Sequence, residues 1–142
     1  MSVNDELKRL VAASCAHVLA AIDGVPDDEA FVTTQDESGK TAADYSLLVA
    51  QDKAMIATGL GSQTVPPIPP VLSIRDDARA VITSIENDLE DQIVRTTPED
   101  YDKPPPTLGY PIDCDLPTYR ECVVAHAVRD NQRASAIEAI FE

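Results

Sequence analysis

Two side chains near the end of the sequence have the types and spacing of an acid–base pair. His126 and Asp130 are four residues apart, so in a helix they share one face, which also carries Val123 and Ile137. Histidine titrates near neutral pH, and a neighbouring carboxylate can orient it or stabilise its charged form. The pair therefore predicts a catalytic or ligand-polarising site, with His126 as general acid or base. The alternative is a local hydrogen-bonded pair without a ligand.

Two further polar residues interrupt otherwise apolar helical stripes, namely Asp52 and His17. If the helices that carry them meet the helix of His126 and Asp130, two imidazoles and two carboxylates converge in mid-bundle. Such donors suit a divalent ion such as zinc, nickel, iron or manganese. The sequence thus predicts His126, Asp130, Asp52 and His17 as metal ligands, with a metal-free chain as an equal alternative. A residue at the border of a stripe can instead turn its polar end to solvent.

Apolar residues recur at three- and four-residue spacing in four segments, as in amphipathic helices. The predicted helices run from Val3 to about Val25, from Thr41 to about Leu60, from a cap at Ser73 to about Arg95 or Thr97, and from about Pro117 to Phe141. No strand pattern or repeat accompanies them. The sequence therefore predicts an all-α fold, a four-helix bundle made of a single domain over residues 1–142.

The segments between these helices are polar or rich in proline. Residues 27–40 lack periodicity and are predicted as a loop, with Thr41 or Ser38 as the cap of the next helix. Residues 65–70 (VPPIPP) predict a stiff extended connector that could cross the bundle from end to end. Residues 97–115 form another predicted loop, which contains three consecutive prolines, 104–106.

The composition excludes several classes of partner. Eleven Lys and Arg against 25 Asp and Glu give a net charge of −14, which repels nucleic acids and anionic lipids. Apolar runs are shorter than the roughly 20 residues that span a bilayer, and the first residues are acidic, unlike a signal peptide. We therefore expect a cytoplasmic protein. Cys15 and Cys122 are predicted as small buried residues, and Cys114 as an accessible loop residue without a disulfide.

Three stretches resemble the DinB-like superfamily of four-helix bundles. They are Lys40–Leu48 (KTAADYSLL), Thr97–Tyr101 (TPEDY) and Leu116–His126 (LPTYRECVVAH), the last resembling the entry into the family's final helix. The resemblance implies a divalent metal held by one histidine of the second helix and two, four residues apart, of the last. Here His126 is followed by Asp130, and the second helix has no histidine, so the implied ligand set is incomplete.

Two functions follow as competing expectations. In the first, the chain is a DinB-like small-molecule-binding protein or enzyme of the transferase, isomerase or cyclase type, with a polar pocket inside the bundle and a degenerate metal site. The resemblance implies thiol-dependent transfer, with the metal acting as a Lewis acid. In the second, the bundle is non-catalytic and acts through self-association or a protein partner. A homodimer is compatible with both; an interior filled by side chains and apolar residues exposed on a helix face would favour the second.

Overall fold

The structure, a computed structural model, describes residues 2–102 and 118–142. Within these ranges the helices are α1 (Val3–Asp23), α2 (Asp28–Thr33), α3 (Ala42–Gly59), α4 (Arg75–Arg95), a 3-10 helix (Pro98–Asp102) and α5 (Tyr119–Ile140). The predicted all-α class is confirmed. No helix of the described residues is long and apolar enough to cross a membrane. The predictions for prolines 104–106, Cys114 and Pro117 fall outside the described residues.

Local capping fixes where most of the helices begin. The Thr41 hydroxyl accepts a hydrogen bond from the Asp44 amide, and the Asp44 carboxylate accepts one from the Thr41 amide, which makes a complete capping box. The prediction of Ser73 as the cap of α4 is wrong, because the cap residue is Ile74 and its side chain makes no capping bond. Instead Asp28 of α2 accepts hydrogen bonds from both the amide and the side chain of Arg75. The first turn of α4 is thus capped by another helix.

The polar segment 27–40, predicted entirely as a loop, contains the short helix α2. Asp27 caps it by accepting a 2.7 Å hydrogen bond from the Ala30 amide. Phe31 is fully buried against the main core, and this burial stabilises a helix too short to be stable alone.

The four long helices pack as two parallel pairs. The end of α1 and the start of α3 share one apolar cluster with the start of α4 and the end of α5, while the opposite ends of all four share a second cluster. Helix α1 therefore runs parallel to α5 and antiparallel to α3 and α4. Around the bundle, α1 neighbours α5 and α4, and α3 neighbours α4 and α5.

The parallel arrangement of α3 and α4 requires a connection along the bundle. Residues 61–74 contain no helix, and Val65 and Ile68 within them pack on the core. At about 3.1 Å per residue such a segment reaches about 40 Å, enough to return along a helix of about 30 Å.

A polar layer separates the two apolar clusters at mid-height. In α3 it lies between Val49 and Ile56, in α4 between Ile85 and Leu89, and in α5 between Val123 and Ala134. The residues of this layer form the candidate functional site. They are Asp52, Lys53, Glu86, His126 and Asp130.

Candidate functional site

Lys53 lies at the centre of the polar layer with no exposed surface. Its Nζ donates hydrogen bonds to Glu86 Oε1 at 2.7 Å and to Asp130 Oδ2 at 2.9 Å, and it lies 3.1 Å from His126 Nε2. The three hydrogens of an ammonium match these three acceptors. A side chain of α3 is thereby joined to α4 and α5 inside the bundle.

The imidazole of His126 is fully buried between two carboxylates. Its Nδ1 is 2.9 Å from Asp52 Oδ2, and its Nε2 is 3.2 Å from Asp130 Oδ2. Because the Lys53 ammonium can only donate, Nε2 is assigned as its acceptor and Nδ1–H as the donor to Asp52. Both ring nitrogens are therefore occupied by protein groups.

Asp52 forms the outer edge of the layer and is paired with two arginines of α5. Arg129 donates from Nε at 2.9 Å and from Nη2 at 2.8 Å, a two-point contact, and Arg133 donates at 3.0 Å. Burial alone would raise the pKa of Asp52, but the hydrogen bonds from His126 and Arg129 hold it well below its usual range. Asp52 is thus an ionised carboxylate, and both of its oxygens accept hydrogen bonds from the protein.

Glu86 and Lys53 each shift the pKa of the other. Burial raises the pKa of Glu86 to about 8; Lys53 opposes this shift, and Glu90, one turn later on α4, adds to it. Burial would lower the pKa of Lys53, but the charges of Asp130 and Glu86 raise it above its ordinary value. The lysine is therefore held as a cation, while Glu86 binds a proton near neutrality.

Helix α1 closes the layer with Cys15, which is buried and a free thiol. Burial raises the pKa of this thiol to about 12; Lys53 acts in the opposite direction, and Glu86 and Asp130 raise it further. The thiol is therefore neutral. The prediction that Cys15 and Cys122 are buried is confirmed.

Three of the four predicted metal ligands come together. Asp52, His126 and Asp130 each offer a ligand atom within 4.8 Å of the others, and by distance this group could hold a metal ion. The neighbouring side chains do not fit such an ion as they are arranged. The Lys53 ammonium contacts both the His126 and the Asp130 donor atoms, and the Asp52 oxygens are held by arginines.

The charge balance leads to the same result. The group and its neighbours contain three carboxylates and three lysine or arginine cations, so it has no surplus negative charge for a divalent ion even with Glu86 ionised. In this arrangement the carboxylates of the group are balanced by the protein's own cations.

The fourth predicted ligand, His17, is not part of this group. Its Nδ1 is 2.9 Å from Asn131 Oδ1, and its Nε2 is paired with Glu138 on the surface of the α1–α5 pair. Both ring nitrogens face acceptors, and these partners raise the pKa of His17. The inward stripe of α1 carries Cys15 and Val18 instead, which leaves His17 at its border. With Glu138, it lines a surface cavity of about 340 Å³ at the ends of α1 and α5.

Sequence reasoning missed Lys53 and Glu86, although a signal for both existed. Lys53 is four residues after Val49 and three before Ile56, and Glu86 is four after Ile82. Both charges therefore occupy core positions of clear apolar stripes. A positive and a negative charge on the inner faces of different helices predict a buried ion pair.

Comparison with known proteins adds no further information about this site. No protein family, no curated protein and no solved structure gives a significant match to the chain.

Proposed function

We propose that this chain is a non-catalytic helical bundle that acts through self-association, and that its central polar layer is structural. The observation that supports this function best is the closure of the layer. His126, Asp130 and Lys53 have no exposed surface, and their polar contacts are to one another or to Asp52 and Glu86. A catalytic histidine needs a free nitrogen within reach of a substrate, and His126 has none in this arrangement.

The outer face of the α1–α5 pair offers the surface for association. Leu10, Val124 and Val128 are 37%, 39% and 50% exposed. The bond between His17 and Asn131 sets the two helices in register, and Leu10 and Val124 each precede these partners by seven residues. Seven residues are about two helical turns, and α1 and α5 are parallel. Leu10 and Val124 therefore lie at the same level on these two neighbouring helices.

The charge distribution favours a second copy of the chain as the partner. Residues 10–22 of α1 contain no Asp, Glu, Lys or Arg, and neither do residues 122–128 of α5. In a chain of net charge −14, two copies meet with little repulsion where such uncharged segments face each other. Burial of apolar side chains would then stabilise the contact.

Sedimentation velocity over a concentration series tests this function. We expect a reversible dimer for the natural sequence and a monomer for Val128→Glu, because the substitution places two carboxylates in the contact. Val94→Glu is the matched control, since Val94 is 52% exposed on α4, away from this face, and should leave the dimer unchanged. A natural chain that stays monomeric at every concentration would rule out the proposal.

The second candidate is the DinB-like metal-dependent or small-molecule-binding protein. It is favoured by the separation of less than 4.8 Å between the ligand atoms of Asp52, His126 and Asp130. Elemental mass spectrometry of the protein, before and after chelation and reloading with zinc, nickel, manganese or iron(II), distinguishes the candidates. Near-stoichiometric metal that is lost in His126→Ala would support the metalloprotein and justify assays of thiol-dependent transfer.

A further inference from the structure

The surroundings of the Lys53 nitrogen are those of a bound cation. Three donors from two helices face it at 2.7, 2.9 and 3.1 Å, namely Glu86 Oε1, Asp130 Oδ2 and His126 Nε2. Imidazole nitrogen and carboxylate oxygen are also both ligand types that zinc takes in proteins. The ammonium therefore stands where these donors would place a metal.

Two buried carboxylate oxygens of this group make no hydrogen bond within the described structure. They are Asp130 Oδ1 and Glu86 Oε2, and each belongs to a carboxyl group that contacts Lys53. The stronger case is Asp130 Oδ1. The Glu86 carboxyl also lies beside Cys15 and Glu90 and interacts with both. A buried oxygen without a partner is costly, and a cation with several coordination positions would satisfy it better than an ammonium, which has only three hydrogens. The donors thus have unused binding capacity.

We infer that the Lys53 ammonium is a built-in replacement for a metal ion, and that removing it uncovers a transition-metal site formed by Glu86, His126 and Asp130. The donors now lie about 2.7–3.1 Å from the nitrogen. Each donor atom would need to move closer by roughly 0.5–1.1 Å to reach metal–ligand distances of roughly 2.0–2.2 Å. The site would differ from the Asp52, His126 and Asp130 group because it uses Glu86 and leaves Asp52 with its arginines.

Removing the lysine also changes the charge in favour of a metal. Without its ammonium, Glu86 and Asp130 lose their shared cation, while Asp52 keeps Arg129 and Arg133. A divalent ion would pair with the carboxylate of Asp130 and, by displacing the proton that Glu86 binds near neutrality, with the carboxylate of Glu86. In the natural chain the same ion would first have to displace a fully buried ammonium from its carboxylate partners.

The test is metal binding by Lys53→Ala, measured with cobalt(II) and zinc by equilibrium dialysis, elemental mass spectrometry and the visible absorption of bound cobalt. We expect one ion per chain in the variant and an affinity at least ~100-fold lower in the natural protein, from the cost of separating a buried ion pair. Lys8→Ala, which removes an exposed lysine of α1, is the matched control and should bind no more metal than the natural chain.

Two double variants locate the site. Lys53→Ala/Glu86→Gln should lose the ion if it replaces the ammonium, whereas a site built on Asp52 would not need Glu86. Lys53→Ala/His126→Gln should lose it as well. The inference is wrong if the natural chain binds an ion as tightly as Lys53→Ala, or if the Glu86 double variant retains it.

Folding is followed in the same samples by circular dichroism. If Lys53→Ala is unfolded alone, we expect zinc or cobalt to restore its helicity during refolding, because metal binding would then supply part of the folding free energy. A variant that neither binds metal nor regains helicity with it would also overturn the inference. These readouts do not depend on the association of two chains, so they can fail while the proposed function holds.

Discussion

Replacing Lys53 with methionine measures how much the central cation contributes to stability. Methionine keeps the length of the side chain and fills the same space, so the substitution removes the charge without opening a large cavity. It leaves Asp130 and Glu86 in the interior without the ammonium that now contacts both of them. The change therefore reports electrostatics more than packing.

The expected magnitude follows from the burial of the pair. Lys53 and Asp130 have 0% side-chain exposure, and Glu86 has 6%, so the weak stabilisation of about 0.2–1 kcal/mol measured for surface ion pairs does not apply. Breaking a buried pair costs about 3–5 kcal/mol, because one charge remains without compensation. Protonation of Glu86 removes one of the two residual charges, which places the expected loss near the lower end of that range.

Urea denaturation followed by circular dichroism measures this loss directly. For a chain of this size, thermal unfolding should shift by roughly 10 °C in parallel. Lys8→Met, on the exposed face of α1, is the control and should stay within about 0.5 kcal/mol of the natural protein. A loss below about 1 kcal/mol in Lys53→Met would mean that the pair behaves like a surface pair, and the reasoning would be refuted.

Three further predictions concern titration, capping and thiol chemistry. The pKa of Glu86 rises from 4.5 to about 8 on folding, so its contribution to the free energy of unfolding is complete below pH 4.5 and is lost as the pH rises through about 8. Glu86→Gln should therefore flatten the decline of stability against urea between these two pH values. Thr41→Ala removes one half of the capping box and should cost about 1 kcal/mol in the same assay, with the exposed Ser135→Ala as control. Cys15 should resist iodoacetamide at pH 8 in the folded chain and react after unfolding, because its pKa of about 12 leaves almost no thiolate. Peptide mass mapping measures the labelling, and rapid labelling of the native protein would contradict the burial of this thiol.

The long helices could be predicted from sequence because their signals are local. Apolar spacing located α1, α3, α4 and α5 to within a few residues, and Thr41 was recognisable as a cap. Helix α2 and the group that caps α4 were missed because they depend on distant contacts. Phe31 is buried by other helices, and the carboxylate that caps α4 comes from Asp28, far away in the sequence.

The candidate site shows the same division between local and distant information. The spacing of His126 and Asp130 placed them on one face, and Asp52 was recognised as a polar residue in an apolar stripe. Their interpretation as a catalytic pair or metal-ligand set changed because His126 and Asp130 both contact Lys53. This lysine becomes their neighbour only after α3 packs on α5. Periodicity places a residue on a face but does not show which charge it meets there.

The polar layer has a consequence for how the chain unfolds. Three of the long helices supply its charges, and α1 closes it with Cys15. Any partly folded form that lacks α4 or α5 separates Lys53 from one of its carboxylate partners, so such forms are raised in free energy relative to the native chain. The layer therefore couples the helices into one cooperative unit, in which slow amide exchange in α3, α4 and α5 should occur at a common opening free energy.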